Sequence, residues 1–286
     1  MIKSMLLLAL SISFFSLNAQ VRIYRTFKDT RVINSPSVEI TPRKKLDVRI
    51  AHRFGDIAGD QGGWETLYGL ENAEDVLIGL EAGLSDNLAV GVFRTKGAGQ
   101  LRQLVNTTVK YRLAHQTSDD AMPVSIVLYG LGSLSTMPSS EDPESLANFG
   151  KFIHRIAYHG QLIVARKFSD RFSLQLSGGY LHRNQVVASD ENGLAHIGGA
   201  FRLQVTKIFG LIVDVAAPIS DLRTTDNGFY TPVGIGIEIE TGGHVFQVNL
   251  TNATGIMESD YLANTVTNWG DGEFRLGFTV SRLFNL

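Results

Sequence analysis

From about residue 46 to Leu286, apolar side chains recur at every second position. In the C-terminal stretch Phe274, Leu276, Phe278, Val280, Phe284 and Leu286 share one parity, broken only by Arg282. Glu273, Arg275, Gly277, Thr279, Ser281 and Asn285 share the other, with Leu283 the exception. Successive side chains of a strand point to opposite faces, whereas a helix would repeat its apolar positions every three to four residues. The stretch therefore has one greasy face and one wet or small face. The same division recurs upstream. Val76, Ile78, Leu80, Ala82 and Leu84 oppose Gly79, Glu81 and Gly83. Val233, Ile235, Ile237 and Ile239 oppose Gly234, Gly236, Glu238 and Glu240.

Twelve such stretches are expected as strands, at about 46–54, 76–84, 88–95, 104–114, 124–132, 153–167, 172–183, 195–206, 209–216, 232–241, 244–252 and 273–286. Their connections alternate in length. Ser85-Asp86-Asn87, Ser169-Asp170-Arg171, Lys207-Ile208 and Gly242-Gly243 are tight, and only 115–123 is longer on that side. The opposite connections are mostly long: 55–75, 133–152, 184–194, 217–231 and 253–272, with 96–103 the shortest. Short turns at one end, long loops at the other and an even strand number describe a transmembrane barrel. Strands of nine to eleven residues suffice to cross the hydrocarbon, and closure removes the unpaired edges that lipid cannot satisfy. Phe168, Phe172, Phe209, Phe246 and Phe284 fall at the short-turn end, where an interfacial girdle belongs. The expected fold is all-β: a closed, antiparallel, up-and-down barrel with short periplasmic turns and long extracellular loops. A soluble exported sandwich is the rival, but its strands would be shorter and its loops unsorted by end.

Composition narrows the setting. The 286 residues include no Cys, which excludes disulfides, thiolate metal sites and lipidated cysteines. The net charge of −2 gives no reason to expect a nucleic-acid partner. Lys3, the apolar run Met5 to Phe15 and Leu17-Asn18-Ala19 before Gln20 form the pattern of a cleavable signal peptide, residues 1–19. Residues 20–45 are expected to hang in the periplasm or to enter the lumen as a plug. Residues 46–286 form the barrel, placed in the outer membrane of a Gram-negative bacterium with both termini in the periplasm.

Two stretches carry a family likeness. "LDVRIAHRFGDI", followed by "LYGLENAEDVLIGLEAGLSDNLAVGVFRT" and "VKYRLAHQ", is one. "QLIVARKFSDRFSLQLSGGYLHRN" is the other. Together they resemble a Bacteroidota family of exported β-barrel proteins classed as a domain of unknown function. The stretch His52-Arg53-Phe54-Gly55 is the most specific part. The resemblance covers most of residues 30–286 and implies an outer-membrane barrel, but it supplies no activity, substrate or catalytic residue. The last strand also resembles the terminal recognition signal of bacterial outer-membrane proteins. Arg275 and Gly277 fit the start of that signal, while Val280 and Arg282 depart from its aromatic positions.

The wet parity places charges in the lumen. Arg49, Glu81, Lys110, Arg112, Arg155, His159, Arg202, Asp214, Glu238, Glu240 and Arg275 are the candidate lining and constriction residues. Strands four and ten lie opposite each other in a ring of twelve. Lys110 and Arg112 on one would face Glu238 and Glu240 on the other, giving a transverse field that orients polar solutes. The competing expectation is that the charges pair and fill the lumen, since buried charges need partners. His154, His159 and His196 are expected to converge, as polar filling rather than metal ligands. "SSEDPES" at 139–145 and "SDENG" at 189–193 read as solvated turns. No catalytic, cofactor-binding or metal-binding residue is expected. No G-x-S-x-G or H-E-x-x-H spacing occurs, so a hydrolase or zinc enzyme has no sequence support. The expected function is a narrow passive channel or binding barrel for small polar or charged solutes, with membrane lipid as its surroundings. The alternative is a closed scaffold that docks an unknown protein partner through its loops, using Trp64, Leu67, Tyr68 and Leu70 as an apolar patch.

Overall fold

A computed structural model describes residues 22–23 and 25–286. The signal-peptide stretch lies outside the described residues. Two short strands, β1 (Arg31–Val32) and β2 (Ser35–Pro36), pair as a hairpin. Twelve long ones follow. They are β3 (Lys45–Asp56), β4 (Ala73–Gly83), β5 (Leu88–Lys96), β6 (Gln103–Ala114), β7 (Ser125–Ser135) and β8 (Ile156–Lys167). Then come β9 (Phe172–Arg183), β10 (Gly193–Gln204), β11 (Phe209–Ile219), β12 (Val233–Thr241), β13 (His244–Thr251) and β14 (Arg275–Asn285). Each pairs antiparallel with its chain neighbours, and β14 pairs with β3 to close the ring. That seam runs from Gly277 opposite Arg53 to Asn285 opposite Lys45, with a bulge between Arg275 and Gly277.

The tight turns owe their shape to their residues. At Ser169 and Thr206 the hydroxyl accepts from the backbone N–H three residues on, at Phe172 and Phe209, both at 3.1 Å. Gly242 and Gly243 both have positive φ (52° and 92°), as a two-residue hairpin with a primed turn requires.

The alternation sorts the wall. Ile78, Leu80, Val92, Leu176, Ile197 and Ile237 point outward and are exposed. Asp47, Arg49, Arg53, Lys110, Asp214 and Glu238 point inward and are buried. An exposed band of branched aliphatic side chains on a closed ladder is the surface that hydrocarbon accepts. No described helix is long and apolar enough to cross a membrane, so the strands are what can cross.

Two further pieces of chain occupy the interior. The segment preceding β3 passes inward from the short-turn end, and its residues Phe27, Val32, Asn34, Ser37, Val38 and Thr41 are buried. From the long-loop end, the β13–β14 connection turns inward and forms a short helix, α1 (Glu258–Asn264), with Glu258 through Ala263 all buried. Sequence reading gave that connection as a plain loop. Seven residues are too few to show a helical period.

Candidate functional site

The lumen is the site, and its contents are organised by side chains of the wall. Arg49 of β3 forms ion pairs with Asp29 of the inserted segment and with Asp47 beside it, the latter at 3.0 Å. Lys110 of β6 donates to three backbone carbonyls of the inserted segment: Thr30 at 2.5 Å, Ser37 at 3.2 Å and Glu39 at 3.0 Å. Glu81 of β4 accepts from the Thr41 hydroxyl at 2.5 Å. Asp214 of β11 grips the hairpin tip, accepting from the Asn34 N–H (3.0 Å), the Ser35 N–H (2.9 Å) and the Ser35 hydroxyl (2.9 Å). Ile33, at that tip, has a φ of 54°, in the left-handed region that branched residues avoid. The strain is held in place by what surrounds it. Gly234 faces the tip, and a Cβ there would lie 2.7 Å from Ile33 Cγ2 and 2.5 Å from an Asp214 carboxylate oxygen.

The expected field between Lys110 and Glu238 does not form as such. The inserted segment lies between these groups, and each is engaged nearer home. Glu238 of β12 accepts from Arg202 of β10, two strands away across β11, at 2.6 Å, while Lys110 serves the segment. Glu240 pairs with Lys28 at 2.7 Å and with Arg25 at 3.3 Å. Arg112 sits at the short-turn rim and donates to the Asp86 carbonyl at 3.3 Å. Arg155 is not on a strand. It ends a single 3-10 turn before β8, donates to the Ser135 (3.3 Å) and Met137 (2.6 Å) carbonyls, and lies over the Phe149 ring. Arg275 donates to the Asn252 carbonyl and the Thr267 hydroxyl, anchoring the β13–β14 connection. His159 and His196 meet, Nε2 to Nε2 at 2.8 Å, so one donates and the other accepts. His154 lies in the same 3-10 turn as Arg155, away from that pair.

The two internal pieces touch. Arg31 of the hairpin pairs with Glu258 of α1 at 2.7 Å and donates to the Ile256 carbonyl at 3.1 Å. The Tyr129 hydroxyl donates to the other Glu258 oxygen at 3.0 Å. Burial would raise the Glu258 carboxyl, but Arg31 and His159 outweigh it and hold the group below its ordinary range. Arg53 of β3 bridges both pieces, donating to Asn34 Oδ1 (2.6 Å) and to the Ala253 (2.7 Å) and Gly255 (3.1 Å) carbonyls. Arg53 is not among the candidates read from the sequence. Its bidentate reach to main-chain carbonyls that are distant in sequence leaves no local signal.

Between these contacts little space remains at mid-depth. A void of about 10 Å3 is lined by Arg31, Arg49, Glu81, Lys110, Tyr129 and Met257. Toward the short turns the lumen widens to a cavity of about 350 Å3, lined by Arg25, Lys28, Asp29, Glu39, Asp47 and Glu240 among others. The waist is thus a ring of charged and polar groups between two wetter mouths.

A family described as "Membrane bound beta barrel domain (DUF5777)" matches residues 27–284, and so covers both the wall and the inserted segment. The chain belongs to that family. This membrane-bound barrel domain has no match among curated protein sequences. In fold it is similar to the NanC porin, with a TM-score of 0.49 and 10% identity over 84% of this chain and 99% of that one. It is likewise similar to the KdgM porin, with a TM-score of 0.48 and 6% identity over 85% and 99% of the two chains. An outer membrane channel from Pseudomonas putida F1 gives a TM-score of 0.46 and 13% identity, over 86% and 97%.

Proposed function

We propose that this barrel domain is a narrow outer-membrane channel or binding barrel for small polar or charged solutes, gated by its own internal chain. One observation carries the reading. Between isolated main-chain bridges at its two ends, Arg22 to Thr117 and Arg43 to Gly83, the inserted segment is fixed by side-chain contacts with the wall, from Lys110, Asp214, Arg49 and Glu81, and joins no ladder of the barrel. Such contacts exchange with water singly, whereas a ladder would have to unzip. Withdrawal of residues 25–41 would leave a polar passage lined by Arg49, Glu81, Lys110, Arg202, Asp214 and Glu238. The signal-peptide pattern at 1–19 and the short-turn/long-loop polarity support export to the outer membrane of a Gram-negative bacterium, with the segment entering from the periplasm. No catalytic role is assigned to any lumen residue.

The test is single-channel conductance in a planar bilayer, comparing the mature chain with a variant lacking residues 22–41. The intact barrel should show small or intermittent conductance, and the variant a larger, steady one. Glu238→Gln in the shortened barrel should shift its ion selectivity toward anions. A folded, heat-modifiable shortened barrel that conducts nothing sinks the channel reading.

A further inference from the structure

At the long-loop end, α1 floors a partly open pocket of about 80 Å3 with Ser259, Asp260 and Asn264. Its wall carries Arg155, Arg183 and Gln185. A broader recess of about 480 Å3 adjoins it and shares Gln100, Asp190 and Asn264. The pocket therefore lies where a solute arriving from the loop side first meets the internal chain.

Asp260 differs from the other inward carboxylates. It is 6% exposed, yet among the described residues no hydrogen-bond donor meets its carboxyl. The charges that act on it most are Asp75 and Glu258, both acids. Asp214, Glu238 and Glu258, by contrast, each sit against a donor. Two more atoms of the same pocket are buried without a partner: Gln185 Oε1, an acceptor, and Arg183 Nε, a donor. The Gln185 amide nitrogen is fixed by the Leu146 and Asn148 carbonyls, which leaves its oxygen facing elsewhere. Arg183 is oriented by Asp190 at 3.1 Å and by the Glu191 carbonyl at 2.6 Å.

A buried carboxyl without a donor is costly, and natural structures supply it with a cation or a hydrogen bond. Here the wall supplies neither, and the open side of the group is the pocket. We propose that this pocket binds a small zwitterion of amino-acid size, its ammonium held by Asp260 and Gln185 Oε1 and its anionic end turned toward Arg183 and Arg155. The proposal names a solute class for the channel and takes its biological purpose from that reading, but its geometry stands without it.

The experiment is isothermal titration calorimetry of the full barrel in detergent, using 4-aminobutyrate, butylamine and butyrate as probes. 4-Aminobutyrate should bind most tightly and butyrate least. Asp260→Asn should weaken both amines by about tenfold or more, the value of a charge-assisted bond, and leave butyrate unchanged. Arg183→Gln should weaken 4-aminobutyrate and spare butylamine. Heat-modifiable migration shows that each variant is folded. The proposal is overturned if butyrate binds as tightly as 4-aminobutyrate, if no probe binds the wild-type barrel, or if Asp260→Asn binds amines as well as wild type. Asp260 is then a neutral structural carboxyl. Conductance is no part of this readout, so a barrel that binds amines without conducting refutes only the channel, and a conducting barrel that ignores amines refutes only the solute class.

Discussion

Glu258 and Asp260 lie two residues apart on α1 and meet opposite electrostatics. Glu258 is buried against Arg31 and held below its ordinary range, despite burial that would raise it. A carboxyl depressed in the folded state adds stability above its unfolded value of about 4.5 and loses it as pH falls through the folded value. Asp260 is raised well above 3.8, first by burial and then by Asp75 and Glu258. Its contribution is fully present below that value and is lost as pH rises through the folded one. Urea unfolding in detergent should therefore show stability falling toward both extremes. Glu258→Gln should remove the acid limb and destabilise the neutral protein by about 3 kcal/mol, because it leaves the Arg31 charge buried without its partner. Asp260→Asn should remove the alkaline decline and match or exceed wild type in stability at pH 8. None of this was legible in the sequence. "MESDYLAN" shows acids in a polar-looking loop, and only the fold reveals that one of them has a cation and the other has none.

At the scale of elements, the strands were legible because period two is a local property that each stretch declares for itself. All twelve expected stretches form strands, and the expected parity separates Ile78 and Leu80 from Glu81 on β4. The lumen charges were legible as a set, since Arg49, Glu81, Lys110, His159, Arg202, Asp214, Glu238 and Arg275 are all buried. Their partners were not. Opposition of Lys110 and Glu238 follows from counting strands, but it cannot foresee that another stretch of backbone lies between them. Arg155 shows the same limit at an element's edge, for the strand begins at Ile156 and leaves it in the preceding 3-10 turn. The inserted segment's hold on the wall is separable from the wall's own stability. Lys110→Met leaves three carbonyls without their donor, and Gly234→Val drives side-chain atoms into Ile33 and Asp214. Both variants should stay heat-modifiable while residues 25–41 become cleavable by added protease. A segment equally protected in both would mean that these contacts do not retain it.

For the molecule as a whole, the two internal pieces enter from opposite ends and share Arg31, Arg53 and Glu258 as common ground. Loosening either removes buried partners from the other. Hydrogen exchange makes the coupling measurable: in the variant lacking residues 22–41, amides of 253–264 should exchange at least about tenfold faster than in wild type, while those of β8 and β9 stay protected. Unchanged exchange at 253–264 would show the pieces to be independent.

The position of the seam adds a consequence for assembly. The inserted segment leads directly into β3, and the inward connection leads directly into β14. These are the two strands whose ladder closes the ring. Each piece of internal chain is thus tethered at one flank of the last gap to shut. While that gap is open, both can swing in sideways without being threaded through a finished mouth. Zipping Asn285 against Lys45 and Gly277 against Arg53 then locks the door behind them. The final strand is therefore a latch as well as a wall, and slow steps in maturation should cluster at its pairing.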